Sequence, residues 1–112
     1  MNRYNFLNGL FKISYDKIII EEDNSMDKSI LNEFQKIPGV GKSIAQDLYN
    51  LGYRAITELK DQDPEEMYLK SCELQNQKID RCLLYVFRCA VYYASNKTHD
   101  PELLKWWNWK DQ

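Results

Sequence analysis

The chain has 112 residues, enough for one domain or one domain plus a tail, and 44% hydrophobic residues with 13% aromatics suffice for a packed core. A net charge of −2, from 15 basic and 17 acidic residues, excludes a protein that coats nucleic acid, because non-specific phosphate binding needs a positive field. No apolar run reaches the about 18 residues of a membrane-spanning helix, and the start lacks the basic, apolar and small-residue pattern of a secretory signal. Cys72, Cys82 and Cys89 are an odd set without disulfide-framework spacing, which points to reduced thiols and a cytoplasmic location.

Residues 1–25 read as an N-terminal extension ahead of a domain over residues 26–112 with a Trp-rich C-terminal segment. Phe6, Leu7, Leu10 and Phe11 suit a helical turn or two, and Ile18-Ile19-Ile20 a short extended run. Glu21-Glu22-Asp23-Asn24-Ser25 is a solvated acidic linker, and Met1 and Met26 are both candidates for the natural start. The periodicity of Ile30, Leu31, Phe34 and Ile37 predicts a helix from about Lys28 to Lys36, ended by Pro38, which forces the residue before it out of the α region. Ile44, Ala45, Leu48 and Leu51 predict a second helix from Lys42 or Ser43 to Leu51, with Gly52 as its left-handed cap. A single turn over Ala55–Lys60 buries Ile56 and Leu59.

Asp63-Pro64-Glu65-Glu66 is a capped helix start, with Met67, Tyr68, Leu69, Cys72 and Leu74 as the apolar positions of the helix that follows. Asn76 is a candidate left-handed residue. The longest helix is expected from about Lys78 to Ala94, with Ile79, Cys82, Leu83, Val86, Cys89, Ala90 and Tyr93 on one stripe and Leu84, Phe87 and Val91 on another side, so that it is buried on more than one face. Asp100-Pro101-Glu102 repeats the capped start before a short helical segment over Leu103–Trp109. The expectation is therefore an all-α fold of about five to six helices, with no strand signal beyond Ile18–Ile20.

The stretch Ile37-Pro38-Gly39-Val40-Gly41-Lys42 lies between two amphipathic helices, which is the pattern of a helix-hairpin-helix unit. Backbone amides left free at a helix start carry partial positive charge and hold anions, and the two glycines let successive amides point outward as a nest. Gly39, Val40, Gly41, Lys42 and Ser43 are thus the expected DNA-backbone contact, with Val40 anchoring the loop and Lys42 and Ser43 adding a charge and a hydroxyl. Such a contact carries no base information. The bland alternative is that the glycines only permit a tight turn. A nucleotide-binding P-loop is excluded, since Lys36 stands five before Gly41 and the preceding element is a helix. A shift of 35 places Gly41 on Asn76, Ile44 on Ile79 and Leu48 on Leu83, the weak echo of a degenerate tandem hairpin whose second turn has no glycine.

Helix-hairpin-helix segments of DNA repair and recombination proteins have this form, including Leu51-Gly52 and Asp63-Pro64-Glu65-Glu66. From about Met26 onward the chain resembles, more specifically, the small bacterial pathogenicity-locus proteins, some of them labelled mitomycin-resistance proteins. The residues that carry the resemblance are Ile37-Pro38-Gly39-Val40-Gly41-Lys42-Ser43-Ile44-Ala45, the run from Asp80 to Ala94, and Pro101 to Trp109. It implies an all-helical, DNA-binding domain of poorly defined role, and residues 1–25 lie outside it.

Lys78, Arg81, Tyr85, Arg88 and Tyr92 share one helix face and offer a second contact to DNA through Lys78, Arg81 and Arg88. The alternative for this face is Arg stems covering aromatic rings or pairing with carboxylates. Cys82 and Cys89, with Cys72 and His99, lack the close spacing of a zinc motif and read as core residues, so no metal and no cofactor is expected. Trp106, Trp107 and Trp109 are expected to close the core, with a partner-binding patch as the alternative. No catalytic set stands out. The function expected is a non-enzymatic, weak and sequence-independent DNA-binding module, in DNA repair or a damage response, acting alone, with a protein partner or as a homodimer. The rival is a protein–protein adaptor on the same scaffold, and a third option is a small resistance factor that binds a ligand in its core.

Overall fold

The computed structural model describes residues 26–111, and the expected turns and extended run within residues 1–25 lie outside them. Among the described residues the fold is all-helical: α1 (26–34), α2 (Lys42–Asn50), α3 (Pro64–Gln75) and α4 (Cys82–Ser95), with three short 3-10 turns at Ile56–Leu59, Pro101–Leu104 and Trp106–Trp109. Four α-helices stand where five to six were expected, because the remaining signals close only single 3-10 turns. Lys105, extended at φ −92° and ψ 110°, splits the expected Leu103–Trp109 segment in two.

Local chemistry explains each boundary. Tyr53 N–H donates to the Leu48 carbonyl and Gly52 N–H to that of Tyr49, a Schellman end to α2 with Gly52 at φ +106°. The Asp63 carboxylate accepts from Glu65 N–H, Pro64 takes the first helical position, and Asn76 ends α3 at φ +54°. The longest helix starts four residues later than its periodicity predicts. The Asp80 carboxylate accepts from Cys82 N–H at 2.8 Å and the Asp80 carbonyl from Leu83 N–H, so Asp80 fixes the start and leaves Lys78 outside the helix.

α4 is the centre of the fold. It buries Leu83, Leu84, Val86, Phe87, Cys89 and Ala90 and packs on α3, on the first 3-10 turn and on both C-terminal 3-10 turns. Phe34, Ile37, Val40, Ala45 and Leu48 join the same core from the α1–α2 side, and Leu59, Met67 and Tyr68 from the other. In α3 the buried face is Met67, Tyr68 and Ser71, so Leu69 and Leu74, expected as apolar positions, face solvent. Leu69 points away from the stripe that Met67 and Ser71 define, whereas Leu74 lies on that stripe but in the last turn of α3, where it stays exposed.

The Trp segment closes the core on one side. Trp106 packs against it, Trp109 Nε1–H donates to the Leu103 carbonyl at 2.8 Å, and the Trp109 ring lies 5.6 Å from that of Tyr92. Trp107 meets Trp106 edge to face but stays half exposed.

Candidate nucleic-acid interface

Residues 35–41 carry the chain from α1 to α2. Ile37 N–H donates to the Phe34 carbonyl and Val40 N–H to that of Ile37, a pair of tight turns closed by buried side chains at both positions. Val40 is 5% exposed and anchors the loop inward.

The two glycines differ. Gly39 is left-handed at φ +87°, and a Cβ placed on it would lie 3.0 Å from Trp106 Cδ1. Its lack of a side chain is therefore demanded by the fold, through backbone conformation and through the indole packed against it. Gly41 sits at φ −94° and ψ −167°, extended backbone that any residue adopts, and a Cβ there would meet nothing within 4 Å. Neither conformation nor packing calls for a glycine at position 41.

Gly41 is also the N-cap of α2, and no side chain caps it. The first helical bond is donated by Ala45 N–H to the Gly41 carbonyl at 2.9 Å. The amides of Gly41, Lys42, Ser43 and Ile44 consequently have no acceptor among the described residues. No acidic residue stands in the first turn of α2, and Gly41, Lys42 and Ser43 are all exposed. The other α-helix starts with a described preceding residue each have a carboxylate at hand: Asp63 is the N-cap of α3, and Asp80, one residue before the N-cap Arg81 of α4, accepts from Cys82 N–H. Asp100 caps the Pro101–Leu104 turn in the same way. All three carboxylates accept from the amide two residues on, a regularity that the sequence displays for Asp63 and Asp100 through the following proline and hides for Asp80, which has none.

Behind the loop, Cys89 is fully buried on α4, its Sγ 3.6 Å from the Leu103 carbonyl and 4.0 Å from that of Pro38. Burial pushes its thiol up to about 11. The cysteines do not converge: Cys82 is exposed and Cys72 half-buried, and among the described residues no three His, Cys, Asp or Glu side chains are gathered as a metal would require.

The expected second contact is brought together only in part. Lys78 lies before α4 in an exposed stretch and lines, with Lys70 and Arg81, an open groove of about 960 Å³ beside the end of α3. Arg81 and Arg88 do share a face of α4, and both are engaged. Arg81 Nε–H donates to Asp111 Oδ2 at 2.8 Å, while Arg88 reaches Asp111 Oδ1 at 3.0 Å, Glu65 at 2.7 Å and the Trp109 carbonyl at 2.7 Å. Pairing with carboxylates, the alternative weighed for this face, describes its state here. Asp111 has no local sequence signal, because its partners lie far back along the chain.

The profile of the pathogenicity-locus family, Cdd1, matches residues 27–112. The chain belongs to that family. It is also similar to the mitomycin resistance protein McrB of Streptomyces lavendulae, with 30% identity over 84 residues, which cover 75% of this chain and 76% of that protein. No solved structure matches the chain. The family match covers the α1–α2 connection, α4 and the Trp segment together, and leaves residues 1–26 outside it.

Proposed function

We propose that this chain is a non-enzymatic DNA-binding module of the helix-hairpin-helix type, with α1 and α2 as its helices and residues 35–41 as its hairpin. The amides of Gly41, Lys42, Ser43 and Ile44 take a backbone phosphate, Gly41 lets that phosphate approach the helix start without a Cβ, and Lys42 and Ser43 add a charge and a hydroxyl. The observation that carries this reading is Gly41: a glycine that the fold does not need, at an α-helix start whose first amides meet no carboxylate. Contact through phosphate alone is sequence-independent. The resistance in the relative's name enters as a proposed setting, a damage response, and supplies no mechanism.

Few phosphates are gripped, and the chain is mildly acidic, so the affinity is weak, with Kd on the order of 10⁻⁴ M or weaker at physiological salt. Fluorescence anisotropy of a labelled duplex, titrated over a salt series, tests this. Affinity falls with salt with a logarithmic slope of roughly −1 to −2, and Gly41→Asp or Lys42→Glu lowers it about tenfold or more. Binding that ignores salt or both substitutions, or no binding at low salt, rules the reading out.

Leu69, Leu74 and Trp107, all substantially exposed, favour a second reading, in which the scaffold is a protein–protein adaptor or pairs with itself. Light scattering and pull-down with Leu69→Ser and Trp107→Ser address it. Unchanged mass and unchanged partners dispose of the adaptor.

A further inference from the structure

Arg81, the N-cap of α4 with helical backbone, and Tyr85 and Arg88 within the helix lie at i, i+4 and i+7, so their side chains rise from one face over two turns. All three converge on one carboxylate. Asp111 Oδ2 accepts from Arg81 Nε–H and Nη2–H at 2.8 and 2.5 Å and from the Tyr85 hydroxyl at 3.3 Å, and Oδ1 lies 3.0 Å from Arg88 Nη1. The guanidinium of Arg81 meets the carboxylate with two donors on one oxygen, and that of Arg88 takes the other oxygen. Two like charges are thereby held against a single two-oxygen anion, with a phenol between them. Planar guanidiniums arranged in this way are equally suited to the oxygens of a phosphodiester.

The carboxylate comes from outside the helix. Asp111 follows the last 3-10 turn, is itself 41% exposed, and makes its described polar contacts with this cradle alone. The segment leading to it is also held outside the cradle, through Trp109 Nε1–H on the Leu103 carbonyl and the Trp109 ring on Tyr92, and Arg88 Nη1–H donates to the Trp109 carbonyl as well. Departure of Asp111 from the cradle leaves the Trp109 contacts with Leu103 and Tyr92 in place. Glu65 of α3 neutralises the remaining donor edge of Arg88.

We infer that Arg81, Tyr85 and Arg88 form a second phosphate cradle for the DNA backbone, filled in this structure by the chain's own Asp111 as a mimic of the phosphate. DNA and Asp111 compete for the same donors. Arg88 is next in sequence to Cys89, whose Sγ lies 4.0 Å from the Pro38 carbonyl in the connection that leads to α2. The inference rests on the DNA-binding reading above and adds to it a contact that the free protein withholds.

Full-length chain, labelled duplex and a salt series test it, with folding of each variant checked by near-UV circular dichroism. Asp111→Asn removes the mimic and keeps the shape. It tightens binding about threefold to tenfold and steepens the logarithmic salt slope by about one to two phosphates' worth, −0.9 for each. Adding Arg81→Gln and Arg88→Gln to that variant returns the affinity to the wild-type level or below, and Gly41→Asp lowers it in every background. An Asp111→Asn variant that binds like the wild type overturns the cradle, and a gain that survives loss of both arginines does so too, because it reports net charge alone. If Asp111→Asn tightens binding through the arginines while Gly41→Asp changes nothing, the cradle stands and the hairpin reading fails. Absence of binding in the wild type and in Asp111→Asn overturns both.

Discussion

The two connections that precede α2 and α4, residues 35–41 and 76–81, begin alike and end with opposite chemistry. Each contains a left-handed residue, Gly39 at φ +87° and Asn76 at φ +54°. At the helix start they diverge. The Asp80 carboxylate accepts from the first amide of α4, and that backbone N–H of Cys82 holds the carboxyl below its ordinary range. The first amides of α2 are left open above a glycine. A negative side chain at one start fills the place that an anion would take, and its absence at the other leaves that place vacant. The second connection thus places a carboxylate at its helix start, a difference that the missing glycine of its sequence does not display.

The largest effect is expected where the hairpin depends on its glycine for folding. Gly39→Ala sets a Cβ 3.0 Å from Trp106 on left-handed backbone, and costs about 2 kcal/mol or more, a fall in Tm on the order of 10 °C. An unchanged melting curve would mean that Gly39 is as dispensable to the fold as Gly41. Gly41→Asp is expected to do the reverse. It supplies the missing cap, so thermal stability holds or rises by about 0.5 kcal/mol while DNA affinity drops. Loss of both together would show that position 41 is structural after all.

Asp80→Ala removes the cap of α4 and lowers stability by about 1 kcal/mol in urea unfolding. A null result there would make the contrast between the two starts one of sequence only. The smallest effects lie in acid. The Arg81 hydrogen bonds hold Asp111 below the usual carboxylate range, and Arg88 adds to this. Its contribution is therefore present above the unfolded carboxyl range and is lost as the pH falls through the lower folded value. Asp47 has the opposite sign. Burial raises it, against the Gln75 hydrogen bond, so stability is gained as the pH falls through its raised folded value. Urea midpoints between about pH 5 and pH 2 separate the two, since Asp111→Asn removes the loss and Asp47→Asn removes the gain.

Much of the backbone was legible in the residues themselves. Gly52, the Asp63-Pro64 start and Asn76 each act on amides within a few positions, and each lies where the pattern placed it, while α1 ends at 34, two residues short of the stop expected from Pro38. Periodicity located α4 as the central helix but carried its start too far, because an amphipathic repeat runs on past a cap that only the Asp80 hydrogen bond defines. On α3 the count of apolar residues included Leu69 and Leu74, while the face that meets the core is set by what packs against it and takes in Ser71 instead.

The amino-acid sequence by itself determined an all-helical chain, a glycine-bearing turn ahead of α2 and membership of a family that shares these segments. Such features follow from rules that operate over one or two helical turns. Only the tertiary structure separated the two glycines, by setting Trp106 over Gly39 and leaving Gly41 in open space, and only it carried Asp111 back onto Arg81 and Arg88. Both outcomes depend on side chains far apart in the chain meeting at one surface, and no local rule of backbone or periodicity encodes that meeting.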